Sequence, residues 1–241
     1  MKSLIAAAAA FILAVAAAIV FLLNRHTETG PDAFTGAYPL VTAAPTGVPA
    51  LTWRPSGAPA GPLPAFRGTG SPVTGRITDR GSGVSYARFG APWRQLTSRL
   101  SGAHSSGQEV DSKVKDYKHF WYAAVYVGPL DPKLDVAGAQ RLRAAAELTG
   151  QAFVKELYSD DGSRKDLAGA ALSVDRHAGW VTAFRMTHSG ADRVEKGQTE
   201  VVVALDTGRR EPTIIEITIP SNQPRLLPDI NRLVRSLHVV S

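Results

Sequence analysis

The feature that most constrains this chain is an unbroken run of twenty apolar residues, Leu4–Leu23. As an α-helix the run would be ~30 Å long, because each residue adds ~1.5 Å, and this length matches the hydrocarbon core of a bilayer. Lys2 precedes the run and Arg25 follows it, so the positive-inside rule alone does not orient the segment. We predict a transmembrane signal-anchor over residues 1–26, which crosses the membrane with residues 4–23.

A cleavable signal peptide is the alternative interpretation of the same run. Ala16 and Ala18 have the small-residue spacing of a cleavage site, but cleavage there would leave the apolar stretch Ile19–Leu23 on the mature chain. We therefore favour an uncleaved signal-anchor with its N-terminus in the cytoplasm and the rest of the chain outside. Both interpretations export the remainder of the chain across the plasma membrane.

A Pro/Gly-rich tether is predicted for residues 27–75. This stretch of 49 residues holds nine Pro and eight Gly but only four charged side chains. Proline removes backbone donors and glycine raises the entropy cost of ordering, so no regular core is expected here. We expect a disordered spacer that contributes no packing to the domain behind it.

The remaining residues, 76–241, have the texture of one folded α/β domain. Two apolar stretches, 76–79 and 84–89, flank a Gly/Ser turn and predict a hairpin. His119–Val127 is apolar at every alternate position on both faces, which is typical of a central strand. Residues 97–117 carry few large apolar side chains and are predicted to be a mostly exposed excursion.

Helices and further strands follow from the hydrophobic periodicity. A long helix is predicted from the stripe that runs from Leu142 to Leu157, with Asp135 as its N-cap, Asp131-Pro132 as an earlier possible start and Gly162 as its stop signal. A last helix is predicted over Pro228–Leu237. Four more strands are predicted: Ala170–Val174, Gly179–His188, Thr199–Leu205 and Thr213–Ile219. The short connections between these strands favour a mostly antiparallel sheet flanked by helices.

Three stretches, taken in order, give the chain a resemblance to a known superfamily. They are Asp79–Tyr86 leading to Gly90–Trp93, then Val174–Trp180, and finally Ile219–Pro220 followed by Leu227–Ile230 and Arg235–Leu237. Together they resemble the Mog1/PsbP-like superfamily, and within it the membrane-anchored or secreted envelope proteins of high-GC Gram-positive bacteria. The resemblance covers about residues 76–240. It implies an α/β/α sandwich around an antiparallel sheet and a non-enzymatic, protein-docking role, without assigning any binding residue.

A search for chemistry-bearing motifs gives no catalytic, cofactor or metal prediction. The chain has no Cys, and its six His form no H-x-H or H-x-x-x-H pair that would hold zinc. It has no G-x-S-x-G nucleophile motif and no glycine-rich phosphate cradle. We expect a chain that is not an enzyme.

Binding is the remaining class of function, and three aromatic residues are its candidates. Tyr86, Trp93 and Trp180 are the candidates because Tyr and Trp are enriched at binding hot spots, and Trp180 follows a predicted turn. Core packing is the competing interpretation for each of them. We expect an interaction module that docks onto another envelope protein.

Charge defines the alternative ligand class. Residues 76–241 hold 23 Lys/Arg and 19 Asp/Glu, a surplus of only four positive charges, and the longest basic run is Arg209–Arg210. This distribution is unlike the clustered basic stripe of a nucleic-acid-binding protein, so we predict no nucleic-acid partner. A small molecule, lipid or wall polymer bound in a cleft between sheet and helix stays open as an alternative.

Overall fold

The computed structural model describes residues 61–96, 104–112, 121–134, 136–157, 162–188 and 196–241. The predicted membrane segment and the tether up to residue 60 lie outside these ranges. Within them, no helix is both long enough and apolar enough to cross a membrane.

Ten strands and two α-helices make up the described chain, with one short 3-10 helix at Pro224–Leu226. The α-helices are α1 (Arg141–Leu157) and α2 (Leu227–Arg235). The strands are β1 (Val73–Asp79), β2 (Val84–Phe89), β3 (Arg94–Gln95), β4 (Ser106–Ser112), β5 (Trp121–Pro129), β6 (Gly162–Val174), β7 (His177–His188), β8 (Gly197–Leu205), β9 (Thr213–Pro220) and β10 (His238–Val239).

Two antiparallel sheets organise these strands. The main sheet has the order β3-β4-β5-β9-β8-β7-β6, and the small sheet has the order β1-β2-β10. Every described strand pair is antiparallel. The predicted class, a mostly antiparallel sheet flanked by helices, is therefore confirmed, although the small sheet was not predicted.

The middle of the main sheet is formed by the strands whose sequences are apolar on both faces. In β5 residues 122–128 are all buried, and all nine residues of β8 are buried. β9 lies between these two strands. Strands buried on both faces need apolar side chains at consecutive positions, which is why β5 was recognisable from its sequence.

Different elements cover the two faces of the main sheet. On the first face the small sheet and α2 complete one apolar cluster, to which Tyr86, Trp93 and Ile230 contribute. On the second face α1 packs over β7 and β8 through the small side chains of Ala145 and Ala146. We refer to these as the small-sheet face and the α1 face.

Residues 97–117 were predicted as an exposed excursion, and this prediction is wrong for β4. The strand pairs with β5 over seven register positions, and Gln108, Glu109 and Val110 are buried. Gln108 joins the two sheets, because its Oε1 accepts a hydrogen bond from Phe89 N at 2.7 Å and its Nε2 donates to Ala87 O at 2.9 Å. Hydropathy did not reveal the strand because two of its buried residues, Gln108 and Glu109, are polar.

The ordered chain begins earlier than the boundary predicted at residue 75. Residues 61–75 lie against the folded domain. Polar side chains of α2 form hydrogen bonds with their backbone. Asn231 Oδ1 accepts from Phe66 N at 2.8 Å, and Asn231 Nδ2 donates to Pro64 O at 2.8 Å. Arg232 donates to Ser71 O at 2.7 Å. Prolines exclude a periodic pattern here, but their carbonyls still accept hydrogen bonds.

The buried carboxylate of Asp229 makes the strongest of these contacts. Its side chain, 1% exposed, accepts from Ser71 N and Ser71 Oγ at 2.7 Å each, and from Trp93 Nε1 at 2.8 Å. Gly70 has a φ of +62° and approaches so closely that a side chain there would collide with the carboxylate. One acidic residue thus joins α2, the entering chain and Trp93.

A truncation series tests this boundary. We expect a chain that starts at Gly61 to keep the stability of the full domain, and a chain that starts at Val73 to lose roughly 3–6 kcal/mol. Two hydrogen bonds to the buried Asp229 carboxylate disappear in the shorter chain, and bonds to charged groups contribute ~1.5–3 kcal/mol each. Urea denaturation measures the difference. Equal stability of the two truncated chains would show that residues 61–72 pack without contributing.

A double-mutant cycle tests the Asp229–Trp93 contact. We expect Asp229→Ala to cost roughly 2–5 kcal/mol, because it leaves the buried donors of Ser71 and Trp93 without an acceptor. Trp93→Phe removes only one donor, and the double mutant should show a coupling of about 1–3 kcal/mol in urea denaturation. Strict additivity of the two substitutions would contradict a direct energetic link.

Candidate functional site

Two of the three predicted binding aromatics lie inside the domain. Tyr86 is fully buried, and its hydroxyl donates to Ser106 Oγ at 3.0 Å. Burial raises the pKa of this hydroxyl well above its ordinary value. Trp93 is 5% exposed, and its ring lies 5.7 Å from that of Phe89. Neither side chain is open to a partner at the surface, which corrects the prediction for both residues.

The third predicted aromatic, Trp180, lies on the α1 face of the main sheet. It is half-buried, and the guanidinium of Arg143 lies 5.2 Å from the centre of its ring. Tyr86 and Trp93 belong to the cluster on the small-sheet face, so the structure does not bring the three aromatics together. A single binding surface made of these residues is therefore excluded.

A network of hydroxyl groups surrounds Asp79 at the end of β1. Its carboxylate accepts from Ser82 N at 3.0 Å, from Ser106 Oγ at 2.9 Å and from Ser105 Oγ. The Ser82 and Ser105 hydroxyls lie 2.8 Å apart. These bonds tie the β1–β2 turn to β4. Among the described residues, no histidine hydrogen-bonds to a serine of this network. The network therefore connects two parts of the fold and lacks the base that a serine nucleophile needs.

Three glutamates form a row on the α1 face, which we call the glutamate row: Glu109, Glu216 and Glu200. They lie on β4, β9 and β8, and β5 separates the first two. Glu109 binds Arg94, and Glu216 Oε2 lies 3.1 Å from His104 Nε2. Glu109 and Glu216 therefore have cationic or titratable partners within the described chain.

Glu200 is the exception in the glutamate row. It is 0% exposed, and Thr218 Oγ1 donates to its Oε2 at 2.6 Å, whereas its Oε1 has no hydrogen-bond partner among the described residues. Burial raises the pKa of this carboxyl well above its ordinary value, and the charge of Glu216 adds to the effect. The neutral, protonated form of Glu200 is thereby favoured.

Within the described ranges, no group of three or more His, Asp or Glu side chains is arranged to hold a metal ion. Of the histidines, His177 contacts Asp206 O through Nδ1 at 3.0 Å, and His238 Nδ1 lies 3.1 Å from Asp175 Oδ2. Both contacts lie at turns or strand ends.

Arginines define the most distinctive surface of the domain, around α2. A first groove of about 380 Å³ lies between β1, β2 and the last turn of α2, and Arg76, Arg232 and Arg235 line it. A second groove of about 380 Å³ follows the chain from Arg67 to Pro72 and is also lined by Arg225. We call these five residues the arginine surface.

The two segments that build the arginine surface contain few acids. Of the other described arginines, five pair with acids, namely Arg94 with Glu109, Arg141 with Asp206, Arg143 with Glu147, Arg164 with Asp166 and Arg210 with Glu211. Residues 61–78 and 221–241 hold the five arginines of the surface and a single acid, Asp229, which is buried. None of the five pairs with a carboxylate in the described part of the chain.

This surface was not predicted from the sequence because its arginines do not form a continuous basic run. The five arginines come from two segments about 150 residues apart, and only the packing of α2 against residues 61–76 brings them together. The signal was nevertheless present. Counting charges separately in 61–78 and 221–241 shows a local excess that the balance of the whole domain conceals.

The raised pKa of Glu200 generates a pH prediction. A carboxyl with a raised pKa in the folded state destabilises the fold as the pH rises above ~4.3, its unfolded value, because the folded state retains a proton that the unfolded state releases. We expect Glu200→Gln to melt at a higher temperature than the natural protein at pH 8, with the gap closing towards pH 4. Each kcal/mol gained corresponds to ~2–4 °C for a domain of this size.

Thermal unfolding between pH 4 and pH 8 measures this gap, and Glu211→Gln is the matched control at a partly exposed site. If the difference in melting temperature between the natural protein and Glu200→Gln stayed constant from pH 4 to pH 8, the pKa of Glu200 would be the same in the folded and unfolded states, which would contradict the prediction.

The chain is similar in fold to some solved structures. No protein-family model and no curated protein matches the chain. The solution structure of cyanobacterial PsbP (CyanoP) from Synechocystis sp. PCC 6803 is similar, with 15% identity and a TM-score of 0.44, and the match covers 74% of this chain and 99% of that one. The crystal structure of the Ran-binding protein Mog1p from Saccharomyces cerevisiae matches with 12% identity and a TM-score of 0.45, covering 69% and 95%. These likenesses concern the fold alone, and we transfer no residue role from them.

Proposed function

We propose that this chain is a membrane-tethered interaction module of the bacterial cell envelope, whose extracytoplasmic domain docks onto another protein. The apolar run Leu4–Leu23 supports the membrane anchor, and the Pro/Gly-rich composition after it supports a spacer. The resemblance to envelope proteins of high-GC Gram-positive bacteria supports the setting. The domain would then project from the outer side of the plasma membrane.

The arginine surface is the observation that carries this proposal. Like charges repel each other, and the five arginines of this surface have no described acidic partner. Arginine is also enriched at protein–protein interfaces, where its planar fork binds carboxylates. A partner that supplies acidic groups would relieve the repulsion on binding.

A non-enzymatic role is part of the proposal. The polar groups that might perform chemistry are committed to the fold: Asp79 to serine hydroxyls, Asp229 to Ser71 and Trp93, and Glu216 to His104. A catalytic site requires a nucleophile, base or acid that reaches a substrate. The arginines offer binding and charge complementarity instead.

Binding of an anionic lipid or wall polymer is the second candidate. Val73 is 54% exposed and lines the same groove as Arg76 and Arg235, so an apolar side chain stands next to cationic ones. An acidic headgroup with an attached acyl chain presents a matching combination. Both candidate functions use the same surface. They are distinguished by identifying the molecule, protein or lipid or wall polymer, that contacts it.

Site-directed photocrosslinking in the anchored, full-length protein tests the proposal. We expect a photoreactive residue at Val73 to capture one protein reproducibly, because this position lines the arginine-rich groove. Ser173, exposed on the edge strand β6, is the matched control and should capture several-fold less of it. Capture of lipid or glycan at Val73 would favour the second candidate, and equal capture from both positions would contradict docking at this surface.

A further inference from the structure

The groove between β1, β2 and α2 holds three guanidinium groups in fixed positions. Arg76 donates to Ser236 O at 2.7 Å and to Ser85 O at 2.9 Å. Arg232 donates to Ser71 O at 2.7 Å, and Arg235 Nε donates to Asn231 O at 3.1 Å. These acceptors are backbone carbonyls, and Arg76 also donates to the hydroxyl of Ser85 at 2.9 Å.

Carbonyl acceptors position a guanidinium without neutralising it. A guanidinium carries five N–H donors, so each of the three arginines keeps donors free for a ligand after binding these carbonyls. The carbonyls hold the cations in place before a ligand arrives, which reduces the entropy that binding would cost. The groove is therefore preorganised for an anion.

The shape and lining of the groove limit which anion fits. The groove has a volume of about 380 Å³, and three arginines and the exposed apolar side chain of Val73 line it. β1 forms an edge of the small sheet, and Val73, Gly75 and Arg76 of that strand line the groove. An extended chain beside an edge strand projects alternate side chains towards one face.

We propose that this groove binds an extended acidic segment of the partner protein. Carboxylates of the segment pair with Arg76, Arg232 and Arg235, and an apolar side chain of the same segment packs on Val73. Carboxylates are favoured because the planar guanidinium forms two parallel hydrogen bonds with them. This inference rests on the proposed docking function and adds the chemistry of the partner and the place where it binds.

Fluorescence anisotropy on the full-length protein in nanodiscs tests the inference. The probe is a labelled peptide rich in glutamate with interspersed valines, and the same peptide with glutamine in place of glutamate is its control. We expect the glutamate peptide alone to bind, with an affinity that falls as salt is raised. Arg235→Gln should weaken binding roughly tenfold, the expected cost of losing a charge-assisted hydrogen bond.

Two further variants make the result specific to the groove. Arg235→Lys keeps the charge but loses the forked geometry, so it should restore only part of the affinity. Arg210→Gln is the matched control, because Arg210 is exposed and already paired with Glu211 at 3.5 Å, and it should bind like the natural protein. Unchanged thermal unfolding of Arg235→Gln excludes loss of the fold as the cause of weaker binding.

The outcomes separate this inference from the function it rests on. If the glutamate peptide fails to bind but Val73 still captures a protein in cells, docking stands and the acidic segment is wrong. If the peptide fails and phosphatidylglycerol vesicles bind in an Arg235-dependent way, the groove is a lipid site and the inference is overturned. Equal weakening by Arg235→Gln and Arg210→Gln would show that binding reflects overall charge, which also overturns it.

Discussion

The described fold depends on the buried carboxylate of Asp229. This single group accepts hydrogen bonds from the backbone and hydroxyl of Ser71 and from the indole of Trp93. It lies in the first turn of α2, where the helix dipole favours a negative charge. Because α2 also carries Arg232 and Arg235, the contact that fixes the helix also sets the position of the arginine surface.

Polar contacts between layers recur elsewhere in the domain. Gln108 links β4 to the backbone of β2, and Asp79 collects donors from the β1–β2 turn and β4. Apolar packing alone does not fix the relative position of two layers. Buried hydrogen bonds do, because each requires a defined distance and angle between donor and acceptor. The small sheet is thus held against the main sheet at specific positions as well as by apolar packing.

The sequence predicted those elements whose stability comes from periodic apolar burial. The β1–β2 hairpin, β5, α1 and β9 were all recognised in this way, although α1 begins at Arg141, later than the predicted cap at Asp135. β4 was missed because its buried residues are Gln108 and Glu109, and the order of residues 61–75 was missed because their partners lie on α2. Hydrophobic periodicity shows which face of a single element is buried. The burial of β4 and the order of residues 61–75 instead depend on polar contacts with distant elements. The arginine surface escaped for the same reason, since it exists only after distant segments meet.

The distribution of acids explains how arginines without described counter-charges arise in a nearly balanced domain. Five acids neutralise arginines elsewhere, as in the pairs of Arg141 with Asp206 and Arg164 with Asp166. Glu200 is buried, and this burial raises its pKa, which favours the uncharged form. The single acid of residues 61–78 and 221–241, Asp229, is enclosed by its donors. Because these negative charges are engaged elsewhere, the five arginines around α2 keep their positive charge available, and a complementary partner would be attracted to it.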